Sequence, residues 1–382
     1  MKIILIGNYP KDRQESMERF AQMLLTGFRR AGVSVELWRP VVFFGARSAT
    51  TVAGVGKWLG YLDKWVAFPL VLRLRHRRLK SRGENVRYHI CDHSNAPYLN
   101  DLPKRAVAVT CHDVLAIQGA FGYPDTYCPA GPTGKILQRW ILKHLSRART
   151  LATVSRYTLE QLRELRREPT GADWRVIYNG FNANFAPVSA EEALPLLRRA
   201  GLPEGERYLL HVGSSLPRKN RVMLLEMLAR AKGHWAGRVC FAGVPPDAKL
   251  LAAAESLGVA NRVTYCKKPD HATLLALYSH CHAFIFPSFS EGFGWPLIEA
   301  QACGAPVIAS NLAPLPEVTG GAALHADPKQ PDAFVAALSQ LDDEGTRAGL
   351  IEAGFENVRR FGTEEMTDAY LALHGEPSVP AS

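Results

Sequence analysis

Ser288-Phe289-Ser290-Glu291-Gly292-Phe293-Gly294-Trp295-Pro296-Leu297-Ile298-Glu299 follows the apolar run Ala283-Phe284-Ile285-Phe286-Pro287. A short apolar run closed by proline reads as a buried strand, and the glycines at 292 and 294 mark a tight loop after it. Pro296 suits the first turn of a helix and Gly304 suits its end. The order is therefore strand, glycine loop, helix. Glycines let backbone amides approach a ligand closely, and a helix amino end favours phosphate or hydroxyl oxygens. Glu291 in the loop and Glu299 about one turn into the helix add two carboxylates able to grip vicinal sugar hydroxyls. A first-turn glutamate alone would only complement the helix dipole; with the glycine loop beside it, a ligand site is the better reading.

Outward from this stretch the same rhythm continues. Apolar runs recur at Tyr208–Val212, Arg238–Phe241, Arg262–Cys266, Val307–Ala309 and Ala323–His325, with helix-like stretches between them. The first half has its own series: Ile3–Ile6, Val33–Trp38, Tyr88–Cys91, Val107–Thr110, Thr150–Val154 and Val176–Tyr178. Met17, Phe20, Leu24 and Phe28 recur at helical spacing, and Gly32 follows as a stop. Such alternation predicts parallel sheets with crossover helices. At 382 residues the chain suits two domains. The boundaries read as 1–186 for the first domain and 187–205 for a Pro-, Ala- and Glu-rich linker. Residues 206–357 then form the second domain, and a terminal helix over 358–375 packs back on the first. Open parallel sheets bind ligands at the carboxyl ends of their strands, so two α/β domains facing each other across a cleft place the expected site there.

Composition narrows the class. Hydrophobic residues make up 47% and charged residues 21%, ordinary globular values that argue against disorder. Met1 to Gly7 is too short for the apolar region of a signal peptide and reads as a first strand. Seven cysteines without a C-x-x-C pair suggest reduced thiols in the cytoplasm. His280-Cys281-His282 has no second ligand pair at zinc spacing and reads as packing. Asp342-Asp343 reads as a solvated surface pair, so no metal site is expected. The net charge of +10 is uneven: residues 1–185 hold 29 Lys and Arg against 14 Asp and Glu, and the remainder 17 against 22. One half is expected to face something anionic.

Other strand ends carry polar motifs. Val212-Gly213-Ser214-Ser215-Leu216-Pro217-Arg218-Lys219-Asn220 is a glycine turn followed by adjacent cations, which is what a diphosphate leaving group needs. Val109-Thr110-Cys111-His112-Asp113 ends a strand on a histidine; a cleft-facing role and a core role stay open on the residues alone. No Walker-type loop and no G-x-G-x-x-G is present, which argues against nucleotide hydrolysis and dinucleotide redox chemistry.

Glu291 through Glu299 resembles the E-x7-E motif of the family 4 retaining glycosyltransferases. The run Ala300-Gln301-Ala302-Cys303-Gly304-Ala305-Pro306-Val307-Ile308-Ala309-Ser310-Asn311, followed by Leu315-Pro316-Glu317-Val318, resembles the same family. So do Pro217-Arg218-Lys219-Asn220, His112-Asp113, Val154-Ser155-Arg156-Tyr157-Thr158 and Asn179-Gly180. The second domain has the general look of bacterial mannosyltransferases. The resemblance implies the GT-B fold of two Rossmann-like domains. It implies catalytic roles for His112, Glu291, Arg218 and Lys219, with Glu291 at the donor sugar, Glu299 at the nucleotide ribose and His112 beside the sugar. Donor binding falls to Gly213, Ser214, Gly292, Phe293, Gly294, Leu297 and Glu299. The loop Asn8 to Met17 departs from the glycine-rich turn of many members. Arg13, Gln14, Glu15 and Ser16, with Asp113, are therefore expected on the acceptor side.

The function expected is retaining transfer of a hexose, mannose from GDP-mannose as the leading choice, to a saccharide or lipid-linked saccharide in polysaccharide or glycolipid synthesis. No metal or other cofactor is expected. No carboxylate is placed as an obvious nucleophile, so attack on the face of the departing diphosphate is favoured. Trp58, Tyr61, Trp65 and Phe68 repeat at helical spacing before Arg73, Arg75, Arg77, Arg78, Lys80 and Arg82. Two readings stand for this segment: an amphipathic surface on anionic lipid at the inner face of the membrane, or a core-facing helix with a basic tail. Lys57, Asp63 and Lys64 interrupt the run, so no spanning helix is expected. Alternatives are a UDP-sugar donor, a GT-B epimerase or phosphorylase, a non-catalytic sugar-nucleotide-binding protein and a nucleic-acid-binding protein. The last lacks a reading motif, and no nucleic-acid partner is expected.

Overall fold

The computed structural model describes residues 1–48, 51, 54–231 and 233–375. Among the described residues, twelve strands form two sheets of six. β1 (Lys2–Ile6), β2 (Ser34–Trp38), β3 (Val86–Ile90), β4 (Val107–Cys111), β5 (Thr150–Thr153) and β6 (Asp173–Val176) take the order β2-β1-β3-β4-β5-β6. β7 (Tyr208–Gly213), β8 (Arg238–Gly243), β9 (Val263–Lys267), β10 (Ala283–Phe286), β11 (Val307–Ser310) and β12 (Leu324–Ala326) take the order β12-β11-β10-β7-β8-β9. Every pairing is parallel. Crossover helices cover both faces of such sheets, so strands become continuous apolar runs instead of alternating ones. Ile3, Ile4, Leu5 and Ile6 are all fully buried, as are Phe284, Ile285 and Phe286.

The strand order reverses direction between β1 and β3 in one sheet and between β7 and β10 in the other. Loops leaving the carboxyl ends of those strands diverge to opposite faces and open a crevice, where open α/β sheets bind ligands.

The first compact unit comprises Met1–Phe121, Ala130–Asn182 and Phe361–Ser382; the second comprises Gly122–Pro129 and Ala183–Arg360. The terminal helix Thr363–Leu373 packs on Glu15–Arg30, where a methyl group on Gly27 would stand 2.3 Å from Thr367 Oγ1. A buried polar chain fastens it to the sheet. His89 Nε2 meets Thr110 Oγ1 at 2.8 Å, Thr110 donates to the Tyr370 hydroxyl at 3.1 Å, and His89 Nδ1 meets His374 Nε2 at 3.1 Å. Gly180 lies so close to this helix that a methyl group there would sit 2.9 Å from Thr363 Cα.

Two expectations are revised, and two readings are made more specific. Residues 187–205 are not a bare linker: they contain a helix, Ala190–Arg199, opened by a capping box. The Ser189 side chain accepts from the Glu192 amide, and Glu192 Oε2 accepts from the Ser189 amide. The signal Ser189-Ala190-Glu191-Glu192 outweighs Pro187 and Pro195. Residues 122–129, read within the first domain, pack with the second unit, and Tyr127 stacks on Phe289 with ring centroids 4.5 Å apart. Asp342 and Asp343 are both exposed, as expected, and the Asp343 side chain in addition caps the helix Glu344–Val358 by accepting from the Thr346 amide at 2.7 Å. Of the four aromatics between 58 and 68, Trp65 packs on Tyr98 and Trp140, Phe68 is fully buried, and only Trp58 is largely exposed. Trp65 and Phe68 therefore belong to the core, while Trp58 stays on the outward face together with other residues of this segment.

Candidate active site

The second unit assembles its site where β7 and β10 end side by side. After β7 the chain forms a short turn, Pro217–Lys219, closed by Asn220 in the left-handed region at φ 51°. An asparagine tolerates that conformation, and its side-chain amide donates to Pro328 O at 2.8 Å and Pro287 O at 3.3 Å. The turn is thereby tied to the end of β10. Phe289 N donates to Arg218 O at 2.8 Å and completes the tie.

Glu291 occupies the centre. Arg218 Nη1 donates to Glu291 Oε2 at 2.5 Å and to Ser290 O at 2.8 Å, and Lys219 Nζ donates to Glu291 Oε1 at 2.6 Å. Burial opposes charge on the Glu291 carboxyl, yet Lys219 and Arg218 outweigh it and hold its pKa down to about 2. At neutral pH the cluster is one carboxylate between two cations, a fixed net positive charge. Lys219 also lies over the Phe286 ring, 5.1 Å from its centroid.

Gly294 caps the helix Trp295–Ala302 at φ 103°, a conformation only glycine adopts freely, and a side chain there would press on Leu297 and Leu315. Pro296 lies in the first turn, and Gly304 follows the helix at φ 76°. Leu297 is buried beneath this loop, as is Phe293. Glu299 is buried too, and its Oε2 accepts from the Tyr278 hydroxyl at 2.9 Å. Tyr278 was not foreseen; it sits in the helix His271–His280 and holds Glu299 in one orientation.

Gly213 ends β7 directly over a histidine: a methyl group at 213 would stand 3.1 Å from His211 Nε2. His211 Nδ1 faces Ile285 O at 3.0 Å, and a carbonyl can only accept, so the proton sits on Nδ1. Burial pushes this ring down to about 4, which keeps it neutral. Its Nε2, together with Ser288 Oγ, is buried with no hydrogen-bond partner among the described residues. Ser214 follows Gly213 and is half-buried.

In the first unit, His112 follows β4. Its Nε2 lies 2.8 Å from Cys91 O, so in the neutral ring Nε2 carries the proton and Nδ1 the lone pair. Burial lowers its pKa against the pull of Asp92. Asp113 Oδ1 accepts from the Leu115 amide at 3.0 Å and starts the helix Leu115–Phe121. Arg13 is exposed in the left-handed region at φ 52°, and Glu15 and Ser16 open the helix Glu15–Arg30 on the surface. Gln14 accepts from the Asn8 side chain.

That contact leads to residues the sequence reading missed. Asn8 Nδ2 also donates to Asp92 Oδ2 at 2.5 Å, and Asn95 Nδ2 donates to Asn8 Oδ1 at 2.8 Å. Asn8 follows β1 and Asp92 follows β3, so the pair bridges the strands at which this sheet reverses. Burial opposes charge on Asp92; His93, His112, the Ser94 amide and Asn8 more than offset it and hold the carboxyl below its usual range. The run Cys91-Asp92-His93-Ser94-Asn95 after an apolar strand carried the same signal that singled out His112.

Elsewhere, His280 Nε2 meets Val188 O at 3.0 Å, and among the described residues no group of three or more His, Cys, Asp or Glu is placed to hold a metal ion. No helix among the described residues is long and apolar enough to cross a membrane.

Residues 196–357 match the family model described as glycosyl transferases group 1, and residues 17–185 match that of glycosyltransferase family 4. The chain is 28% identical to the O-antigen chain mannosyltransferase B of Escherichia coli, over 96% of this chain and 97% of that one. It is 26% identical to the O-antigen chain mannosyltransferase RfbU of Salmonella typhimurium, over 73% and 69% of the two chains. Among solved structures, sucrose-phosphate synthase from Thermosynechococcus elongatus superposes with a TM-score of 0.75 at 19% identity, covering 98% of both chains. Anabaena HepE in complex with UDP and glucose gives 0.71 at 16% identity, covering 97% of this chain and 98% of that one. The two sheets of six parallel strands are those of the GT-B architecture, and the chain belongs to the glycosyltransferases, as a family 4 domain followed by a group 1 domain.

Proposed function

We propose that this glycosyltransferase moves mannose from GDP-mannose, with retention of anomeric configuration and without a metal ion, to a saccharide or lipid-linked saccharide acceptor. The place proposed for this reaction is the cytoplasm, at the inner face of a membrane, in polysaccharide or glycolipid synthesis. The observation that carries the reaction is the cluster of Arg218, Lys219 and Glu291 where β7 and β10 end. Similarity to two mannosyltransferases of O-antigen synthesis supports the sugar.

In the proposed step the bond from the sugar C1 to the diphosphate oxygen breaks as the acceptor oxygen bonds to C1 on the same face. The acceptor proton passes to an oxygen of the leaving diphosphate. Negative charge gathers on that diphosphate, and fixed cations meet it without reorganisation. Glu291 keeps both cations aimed while reducing their net charge, which lets the product nucleotide leave. Glu299, fixed by Tyr278, faces the ribose, and the unpartnered His211 Nε2 and Ser288 Oγ offer polar contacts to a bound donor. His112, neutral with Nδ1 as acceptor, serves as a hydrogen-bond acceptor for a sugar hydroxyl.

A thermal-shift panel with GDP, UDP and ADP, followed by transfer assays with the matching nucleotide-sugars, tests the reading. Stabilisation by GDP and turnover of GDP-mannose, with the α-anomer retained and activity surviving a chelator, are expected. A shift with UDP alone would overturn the donor, and manganese-dependent recovery from the chelator would overturn metal independence.

A further inference from the structure

The chain between β2 and β3 exposes a continuous apolar face. Val55, Trp58, Leu62, Val66, Leu70 and Leu74 are 41–76% exposed, and they recur at intervals of three or four residues. They lie on the helix Gly54–Leu62, the π-helical turn Asp63–Ala67 and the helix Phe68–Ser81. An i,i+4 repeat drifts about 40° per step around a helix of 3.6 residues per turn. The π turn holds more residues and takes up part of that drift, so the apolar row stays on one side. Six large apolar side chains in one row exceed what scattered surface exposure accounts for.

A second element extends the row. Phe43 is 70% exposed and Phe44 packs edge-on against it, with centroids 4.9 Å apart. Exposed aromatics on a loop are ordinarily mobile; these are pinned. The amides of Phe43, Phe44 and Gly45 all donate to the buried carboxylate of Asp63, at 3.1, 2.8 and 2.9 Å. The Tyr9 hydroxyl donates to Asp63 Oδ2 at 2.6 Å, and Lys64 pairs with Asp12 at 2.7 Å. Burial opposes charge on Asp63, and the Tyr9 hydroxyl with the three amides more than offsets it. One carboxylate at the π turn thus joins the aromatic loop, the apolar helix and the loop of residues 9–13.

The charge pattern names the occupant. No Asp or Glu occurs between Asp63 and Glu84, while six Arg and Lys fall between residues 73 and 82. Arg73 pairs with Asp101 and Arg75 lies over Trp38. Arg77, Arg78, Lys80 and Arg82 are exposed and have no carboxylate partner among the described residues. A soluble protein partner with a polar rim would not call for an apolar row ending in four uncompensated cations. An anionic bilayer calls for both, since acyl chains take the apolar row and headgroup phosphates take the cations.

We propose that the Val55–Leu74 row, the Phe43–Phe44 loop and the Arg77–Arg82 cations form one docking surface for an anionic lipid bilayer, with Asp63 as the positioning residue that holds its two apolar parts together. The proposal deepens the reading of a lipid-linked acceptor and rests on it for its purpose. Docking by this face brings the loop of residues 9–13, on which the acceptor-side residues begin, to the lipid surface.

The test is co-sedimentation of the full chain with vesicles of phosphatidylcholine, alone or with phosphatidylglycerol, in the absence of donor and acceptor. Binding only to the mixed vesicles, weakened by salt, is expected. Leu70→Ser with Leu74→Ser, Phe43→Ser, and Arg77→Glu with Arg78→Glu should each lower partitioning about tenfold or more, while the GDP thermal shift and transfer to a water-soluble acceptor stay unchanged. Asp63→Asn should lower partitioning and speed proteolysis at the Phe43–Phe44 loop, a readout that the surface substitutions leave alone. Wild-type indifference to anionic vesicles, or binding unaffected by the row substitutions, would overturn the proposal. So would a solution dimer that Leu70→Ser with Leu74→Ser converts to monomer, because the face would then belong to a second copy. Donor use is measured on the same preparations, so failure of the docking surface and failure of the proposed transfer are distinguishable.

Discussion

Lys219 Nζ stands 2.6 Å from Glu291 Oε1, joining the turn after β7 to the loop after β10 across 72 positions of sequence. Both groups are nearly excluded from water, with side-chain exposures of 11% and 6%. A buried ion pair contributes little to net stability once desolvation is counted, so its place at a strand-end crevice fits the ligand-facing role proposed for it. In the proposed transfer, Lys219 and Arg218 meet the departing diphosphate already fixed in place.

Lys219→Ala should lower kcat by about 10²-fold or more, because it removes one fixed donor from the departing diphosphate. Glu291→Gln keeps the shape, removes the charge that aims both cations, and should lower kcat comparably while GDP binding survives. Steady-state transfer rates and calorimetric titration of GDP check both. A Lys219→Ala rate within a few-fold of wild type would remove Lys219 from the leaving-group role.

Acid should loosen the terminal helix through His374 and His89. Burial pushes His374 down to about 3 from an ordinary 6.5, and holds His89 well below 6.5. Both rings bind protons in the unfolded chain at pH values where the folded chain refuses them. Their contribution is therefore complete above about pH 6.5 and is lost as pH falls from there toward 3, by up to about 1.4 kcal/mol per pH unit for each ring. His211 and His282, both held near 4 mainly by burial, act in the same direction. Thermal melts between pH 7.5 and about 5 should show the fall, and His374→Gln should flatten it. A Tm independent of pH across that window would contradict the buried, neutral assignment.

Two glycines separate packing from backbone freedom. A methyl group on Gly180 would sit 2.9 Å from the Thr363 backbone, so Gly180→Ala must displace the terminal helix and should cost about 1–3 kcal/mol. Gly349 lies within the helix Glu344–Val358 with nothing near its Cβ position, and Gly349→Ala should be neutral or stabilise by up to about 1 kcal/mol. Denaturant titration of the two variants checks the contrast.

The sheet rhythm, both glycine-loop motifs and the cation turn were legible because each is local: an apolar run, a glycine, a charged pair. The strand reversal that brings residues 218–219 beside 291 could be expected only through a family resemblance, since no spacing encodes it. Asn8 and Tyr278 escaped for the same reason, whereas Asp92 follows an apolar strand as His112 does and was readable there. Asn8 and Tyr278 each act through a partner distant in sequence, and a lone Tyr in a helix reads as core. The aromatics at 58, 61, 65 and 68 left two readings open because helical spacing fixes a face without saying which way it points. Phe68 and Trp65 found core partners, and the i,i+4 row one step round the helix was left outside. The capping box at Ser189 was local and readable; proline content diverted the reading.

Tyr278 gives the sharpest test of how Glu299 works. Its hydroxyl donates to Glu299 Oε2 at 2.9 Å from a fully buried ring. If Glu299 grips the nucleotide ribose, its second oxygen must point outward, and the Tyr278 bond is what orients it. Tyr278→Phe removes only that hydroxyl, leaving a buried carboxylate short of a donor at a cost of about 1–3 kcal/mol. Donor KM and the Kd for GDP should rise roughly 5- to 100-fold, while kcat at saturating donor falls by far less, since the cations at 218 and 219 are untouched. A purely structural hydroxyl would lower Tm and leave the donor constants where they were. Measuring KM, Kd and Tm together on one variant therefore distinguishes an oriented ribose ligand from a satisfied core carboxylate.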